Sequence, residues 1–163
     1  MSSTNDWARE YISAGGTLPR AFLADEQTAG RGQRTKIWNS PIGWTYLTIA
    51  VASPKGPAIK MPLKIAEVVC DVLVDRYGHQ REGSGGESNA QTADNKSASL
   101  PGLSEGFWVK PPNDVYREKE KVAGILVEQT KDALIIGIGI DYPPSEVAEQ
   151  LIRKVEGQLI SQL

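Results

Sequence analysis

The run "ALIIGIGID", Ala133–Asp141, constrains the fold more than any other stretch of the chain. Isoleucine-rich and set off by turn residues, it reads as a strand, so the chain must build a sheet. Gly137 and Gly139 within it fit a strand that tolerates close backbone approach. They do not form a dinucleotide fingerprint, which needs a third glycine and a strand-to-helix turn. The other familiar phosphate motif, GxxxxGK(S/T), is absent from the chain.

The rest of the chain supplies partners for that strand. Thr4 or Asn5 can cap a first helix through "DWAREYISA", which Gly15-Gly16 ends. "RAFLADE" and "GWTYLTIAV" read as strands, and "FWVK", "NDVY" and "KVAGILVEQ" as further short strands, with "REKE" at a hairpin tip. In "MPLKIAEVVCDVLVDRYG", Leu63, Ala66, Val69, Val72, Leu73 and Tyr77 recur at helical spacing, predicting a long amphipathic helix ending at Gly78. Ser145, after Pro143-Pro144, can cap a last helix with Val147, Leu151, Val155 and Leu159 on one face. Residues 79–106 have no aromatic side chain and are rich in Ser and Gly, the composition of a flexible insertion. The order helix, strands, helix, loop, strands, helix predicts an α/β (α+β) layer architecture, a mixed and mostly antiparallel sheet with helices against it. At 163 residues this is one domain, 1–163.

Composition removes several classes of function. A net charge of −2 argues against a dedicated nucleic-acid binder. The lone cysteine, Cys70, excludes an internal disulfide, and its place in an amphipathic helix suits a small buried hydrophobe. With one histidine, His79, in the polar segment, triad chemistry has no support. Apolar runs fall short of a membrane span and no signal pattern opens the chain, so a cytoplasmic protein without membrane contact is expected.

Cations remain as candidates. Arg31, Arg34 and Lys36 lie in the glycine-containing stretch "DEQTAGRGQRTKIWNSP", Lys110 ends a strand and Lys121 opens another. Singly, each suits a solvated surface. Together with Gly30 and Gly32, whose N–H groups can approach an anion, the arginines can grip phosphate or carboxylate. Trp38 is either a core anchor at the end of this loop or a wall for a flat ring.

Three stretches in order change that weighting. "STND" at the start, "ADEQTAGRGQRTKIWNSPIG", and "VKPPNDVYREKEKVAGILVE" followed by "IIGIGID" resemble the catalytic domain of biotin–protein ligases, in the biotin/lipoate ligase superfamily. That pattern runs E-Q-T-x-G-R-G-R-x-x-R-x-W-x-S-P-x-G, K-W-P-N-D, K-x-x-G-I-L-x-E and G-I-G-x-N. The resemblance covers nearly all of the chain outside 79–106. It implies a fold like that of class II aminoacyl-tRNA synthetases, and a two-step reaction. Biotin is activated with ATP to biotinyl-AMP and then passed to a lysine of a biotin carboxyl carrier protein. Lys110 and Arg31 would be catalytic. Ser3, Thr4, Asn5, Gln27, Gly30, Arg31, Lys110 and Gly124 would hold biotin. Gly32, Gln33, Arg34, Lys36, Trp38, Asn113, Lys121 and Asp141 would face ATP. Magnesium would accompany ATP, with Asp114, otherwise the cap of a turn, as candidate ligand. A homodimer through sheet edges also fits the family. Neither the family's DNA-binding domain nor its β-barrel domain is expected, so operator binding is not.

Four positions depart from the pattern. Gln33 and Lys36 stand where arginines are usual, and lysine lacks the bidentate fork, so weaker retention of the adenylate is expected. Pro111 replaces a tryptophan, and Asp141 places a negative charge where asparagine is usual. The alternatives are a homologue that binds biotin or adenylate with little turnover, and lipoate or octanoate transfer on the same fold.

Overall fold

The computed structural model describes residues 2–33, 36–78 and 106–160, with only the backbone described at 144–146 and 159–160. The insertion expected at 79–106 thus lies, apart from Gly106, outside the described residues, as do Arg34 and His79. Three helices, α1 (Thr4–Ser13), α2 (Met61–Tyr77) and α3 (Pro144–Ile160), accompany six strands. The strands are β1 (Arg20–Ala24), β2 (Thr45–Ala52), β3 (Phe107–Lys110), β4 (Asp114–Arg117), β5 (Glu120–Gln129) and β6 (Ala133–Ile140). They form one sheet in the order β1-β2-β6-β5-β4-β3, every pair antiparallel. The α+β expectation is met, with the isoleucine-rich strand β6 inside the sheet, between β2 and β5.

Alternation along the strands sorts the two faces. Leu134, Ile136, Ile138 and Ile140 of β6, with Leu47, Ile49 and Val51 of β2, point to the layer built by α2 and α3. In α2, Ala66, Val69, Val72 and Leu73 are buried as their spacing predicts, whereas Leu63 and Tyr77 are half-buried. Val147, Leu151 and Val155 of α3 are fully buried in the same core. Among the described residues the other face is covered only in part. There α1 packs Ala8 over Phe22, Ala50 and Ile135, and beyond Ile135 the strand offers only Gly137 and Gly139.

Two helix starts differ from expectation. Ser3, not Thr4 or Asn5, caps α1: its backbone is extended, at φ −155° and ψ 153°, and its Oγ accepts from Asp6 N at 3.1 Å. All three residues are competent caps, and the one chosen leaves Thr4 and Asn5 inside the first turn, both buried. Helix α3 begins at Pro144, so Ser145 lies within its first turn and not before it. The "REKE" tip is a tight β4–β5 turn in which Arg117 pairs with Glu120 and Glu118 takes φ 55°.

The central strand dominates stability. Ile136 is fully buried between β2 and β5, so Ile136→Ala should lower unfolding free energy by about 3 kcal/mol. Ile59→Ala, at a side chain 81% exposed, should change it by less than about 0.5 kcal/mol. Urea titration of both variants checks this, and comparable losses would contradict the assignment of the core.

Candidate functional site

The cavity lies where the sheet carries no side chains. Gly124 of β5 and Gly139 of β6 pair directly across the ladder, and Gly137 pairs with Thr48 on the other side. A Cβ on Gly137 would fall 2.4 Å from Asn5 Oδ1, and one on Gly139 2.7 Å from the Trp38 ring. The glycines are therefore required by close approach, and Asn5 and Trp38 rest on bare backbone. Above this floor is a cavity of about 290 Å3. Its lining combines the start of α1, the 27–38 segment and the β4–β5 region.

One wall is a hydrogen-bonded chain of neutral side chains. Gln27 Oε1 accepts from Thr4 N at 2.9 Å and from Thr4 Oγ1 at 3.1 Å, while Gln27 Nε2 donates to Ser40 Oγ at 3.0 Å. Thr48 Oγ1 lies 2.6 Å from Asn5 Oδ1 and 2.8 Å from Thr4 Oγ1. Asn5 Nδ2 donates to Glu128 Oε2 at 2.8 Å. Partners on both sides of each amide keep these groups from rotating freely, so they meet a ligand in a fixed arrangement.

The opposite side is cationic. Residues 30–32 pair with residues 36–38: Trp38 N donates to Gly30 O at 2.9 Å, Arg31 bridges Ile37, and Gly32 N donates to Lys36 O at 2.8 Å. That last bond corrects the expectation that the Gly32 N–H is open to an anion. Gly30 does not line the cavity, and a Cβ there would meet Ser40 Oγ at 2.4 Å. Arg31, Gln33, Lys36 and Trp38 line the cavity. Arg31 is held by Asp6 at 2.5 Å and lies 4.0 Å from Glu128. Arg9 also pairs with both carboxylates.

The two lysines separate. Lys121 lines the cavity, its Nζ 4.9 Å from the Trp38 ring centroid and 2.7 Å from Asp114 Oδ1, an ion pair without hydrogen-bond alignment. Lys110 does not line it. It ends the outermost strand, paired with Asp114, and sends its Nζ over the Tyr116 ring at 5.0 Å. Asn113 lines the cavity and ties the β4 start to β5, donating from Nδ2 to Ile125 O at 3.0 Å and accepting from Ile125 N at 2.9 Å. Ser3 lines the cavity, its Oγ accepting the capping bond from Asp6 N while its O–H remains able to donate. Among the described residues no group of three or more His, Cys, Asp or Glu could hold a metal. With Asp114 already paired to Lys121, these residues do not make a resident magnesium site. Cys70 is half-buried on α2, its thiol pushed up to about 11 mainly by burial and further by Asp71, so it is no nucleophile at neutral pH.

Asp141, just past β6, does not line the cavity. Its Oδ1 is buried without a hydrogen-bond partner, as is Trp38 Nε1. Burial pushes its carboxyl up to about 6 from an ordinary 3.8, with the Lys121 charge opposing. The folded state therefore holds this proton more tightly than the unfolded chain. The resulting destabilisation is absent below about pH 4, grows as pH rises to 6, and is complete above that. Asp141→Asn should raise stability at pH 7.5 by on the order of 1 kcal/mol, discounted for partial solvation, or about 2–4 °C in Tm. The gain should vanish near pH 4 in thermal melts. An equal gain at both pH values would contradict the burial account.

Several participants escaped the sequence reasoning: Thr48, Ser40, Asp6, Arg9 and Glu128. Three of them stand in the quoted motifs, Asp6 in "STND", Ser40 in "WNSP" and Glu128 closing "KVAGILVE", while Thr48 and Arg9 carried no signal.

Comparison with known proteins agrees with this geometry. The model of the biotin/lipoate A/B protein ligase family matches residues 2–141. The bifunctional ligase/repressor BirA of Escherichia coli strain K12 is 32% identical over 164 residues, covering 94% of this chain. The match spans 42% of that relative, about two fifths of its length. The structure of a biotin protein ligase from Leishmania major in complex with biotinyl-5-AMP aligns with a TM-score of 0.70 at 26% identity, over 92% of this chain and 68% of that one. The Aquifex aeolicus biotin protein ligase in complex with biotin and ATP has a TM-score of 0.70 at 24% identity, over 98% and 67%, a likeness of fold. Among the described residues no helix is long and apolar enough to cross a membrane. The motif order, the antiparallel sheet with its glycine floor and the family match agree: the chain belongs to the biotin/lipoate A/B protein ligase family.

Proposed function

We propose that this chain is an ATP-dependent biotin–protein ligase acting at the glycine-floored cavity. The observation that carries this is the convergence of Arg31, Lys36 and Lys121 on a cavity whose other wall is a fixed, neutral hydrogen-bonding chain. That division suits a ligand with a polar uncharged head and an anionic tail, meeting a second anion. In the first step a biotin carboxylate oxygen attacks the α-phosphorus of ATP. The bond to the β-phosphate bridge oxygen breaks, and pyrophosphate leaves. In the second, a carrier lysine amine attacks the acyl carbon, forming an amide, releasing AMP and losing a proton. Neither step needs a protein nucleophile. The protein's task is to bring two anions together, which fixed cations in a partly desolvated site perform.

Lys121 takes the catalytic role that the resemblance alone gave to Lys110, because of these two it is the one that lines the cavity. Its partner Asp114 and the Trp38 face hold the ammonium over Gly124. Arg31, carried on the short ladder with Ile37, can exchange Asp6 for a phosphate or carboxylate. Thr4, Asn5 and Gln27 face the uncharged ring of biotin, and Gln33 and Lys36 face the nucleotide. ATP enters as its magnesium complex, the metal held by phosphate oxygens. A biotin carboxyl carrier protein is the acceptor, and use of ATP fits a cytoplasmic reaction.

Biotin-dependent ATP–pyrophosphate exchange tests the reading. Lys121→Ala should lower the exchange rate at least 100-fold, and Lys110→Ala less than threefold. No exchange by the unaltered protein at saturating biotin and MgATP would overturn the ligase reading, and biotin binding without exchange would make the chain a binder. A reversed ranking of the two lysines would overturn the assignment of Lys121.

A further inference from the structure

We infer that Glu128 is a positioning residue for the biotin pocket: among the described residues it alone fixes which way the Asn5 carboxamide faces. Asn5 is buried, with Oδ1 on Thr48 Oγ1 at 2.6 Å and Nδ2 on Glu128 Oε2 at 2.8 Å. A hydroxyl can donate or accept, so Thr48 would satisfy either end of the amide. A carboxylate only accepts, so it admits only the nitrogen. Gly137 adds to this by bringing bare backbone under the carboxamide, which leaves no room for Asn5 to withdraw.

Glu128 can hold this role because its charge is balanced independently of the ligand. It stands on β5 opposite Ile135, and Arg9 pairs with its Oε1 while also holding Asp6 Oδ1 at 3.0 Å. Arg31 lies 4.0 Å from Oε2 and 2.5 Å from Asp6. The four side chains form a neutral set of two cations and two anions. If Arg31 turns to a ligand anion, Arg9 still bridges both carboxylates, and the acceptor facing Asn5 stays in place. The polarity of the pocket is thus insulated from movement of Arg31.

The consequence is specific to the neutral end of the ligand. In Glu128→Gln, Arg9, which only donates, claims the remaining oxygen and leaves the NH2 facing Asn5 Nδ2. Two donors then oppose each other, and Asn5 relieves this by turning, which inverts the pattern shown to the cavity. Glu128→Asp, one methylene shorter, remains acceptor-only.

This inference rests on the ligase reading, and exchange kinetics with biotin and ATP varied separately distinguishes the two. Glu128→Gln should raise the KM for biotin at least tenfold and leave the KM for ATP and kcat within about twofold, with Tm within about 3 °C. Glu128→Asp should recover at least a third of that loss on a logarithmic scale. A biotin KM within twofold of wild type in Glu128→Gln would overturn the inference. So would a parallel rise in both KM values, an equal defect in both variants, or failure of Glu128→Gln to fold. Absence of exchange in the unaltered protein would instead remove the ligase reading beneath it.

Discussion

The site depends on one packing constraint: Asn5 lies against the backbone of Gly137. A side chain at that position would enter the space of the Asn5 carboxamide, with a Cβ 2.4 Å from its oxygen. Because the strand is bare there, the first turn of α1 can descend to the sheet and place Thr4 and Asn5 beside Thr48. The same device repeats two residues on, where Gly139 and its partner Gly124 accept Trp38. The sheet is thus a core on one face and, on part of the other, a platform for polar side chains and a ring.

From that platform the electrostatics follow. The neutral wall comes from α1 and Gln27, and the cations come from the Arg31 segment and from the start of β5. Each of the two main cations is met by a carboxylate, Asp6 for Arg31 and Asp114 for Lys121. These pairs are half-exposed and contribute little to stability, typically below about 1 kcal/mol each. Their value lies in geometry, holding long flexible side chains near the cavity without the cost of a deeply buried pair. Asp141 is the exception, a half-buried carboxylate whose charge is opposed by desolvation.

Much of this was legible in the sequence, and the parts that were not have physical reasons. Period-two and helical spacings fixed the elements because one face of each is buried in a common core. The first helix was misplaced by one or two residues because Ser3, Thr4 and Asn5 are equal in capping chemistry, and the cap at Ser3 goes with seating Asn5 on Gly137. Gly137 and Gly139 were legible as close-approach positions, but what approaches them comes from residues more than 90 positions away in the chain. The lysines show the same limit. Spacing gave both Lys110 and Lys121 strand-end positions, but a bulge in β5, where the β4 partner steps from Ala123 to Lys121, brings Lys121 to the face of Gly124, while Lys110 stays on the sheet edge. Nothing local in the sequence distinguishes those paths. The charges around Glu128 were hidden because Asp6 and Arg9 look like ordinary surface residues, and the pairing of Arg31 with them is set only where α1, the Arg31 segment and β5 meet.

Ligand binding requires Asn5 seated on bare backbone at Gly137, which calorimetric titration of biotin into Gly137→Ala examines without intermediate steps. The account predicts at least a tenfold loss of biotin affinity, about 1.4 kcal/mol, with cooperative unfolding retained. Unchanged affinity in a folded Gly137→Ala protein would contradict it.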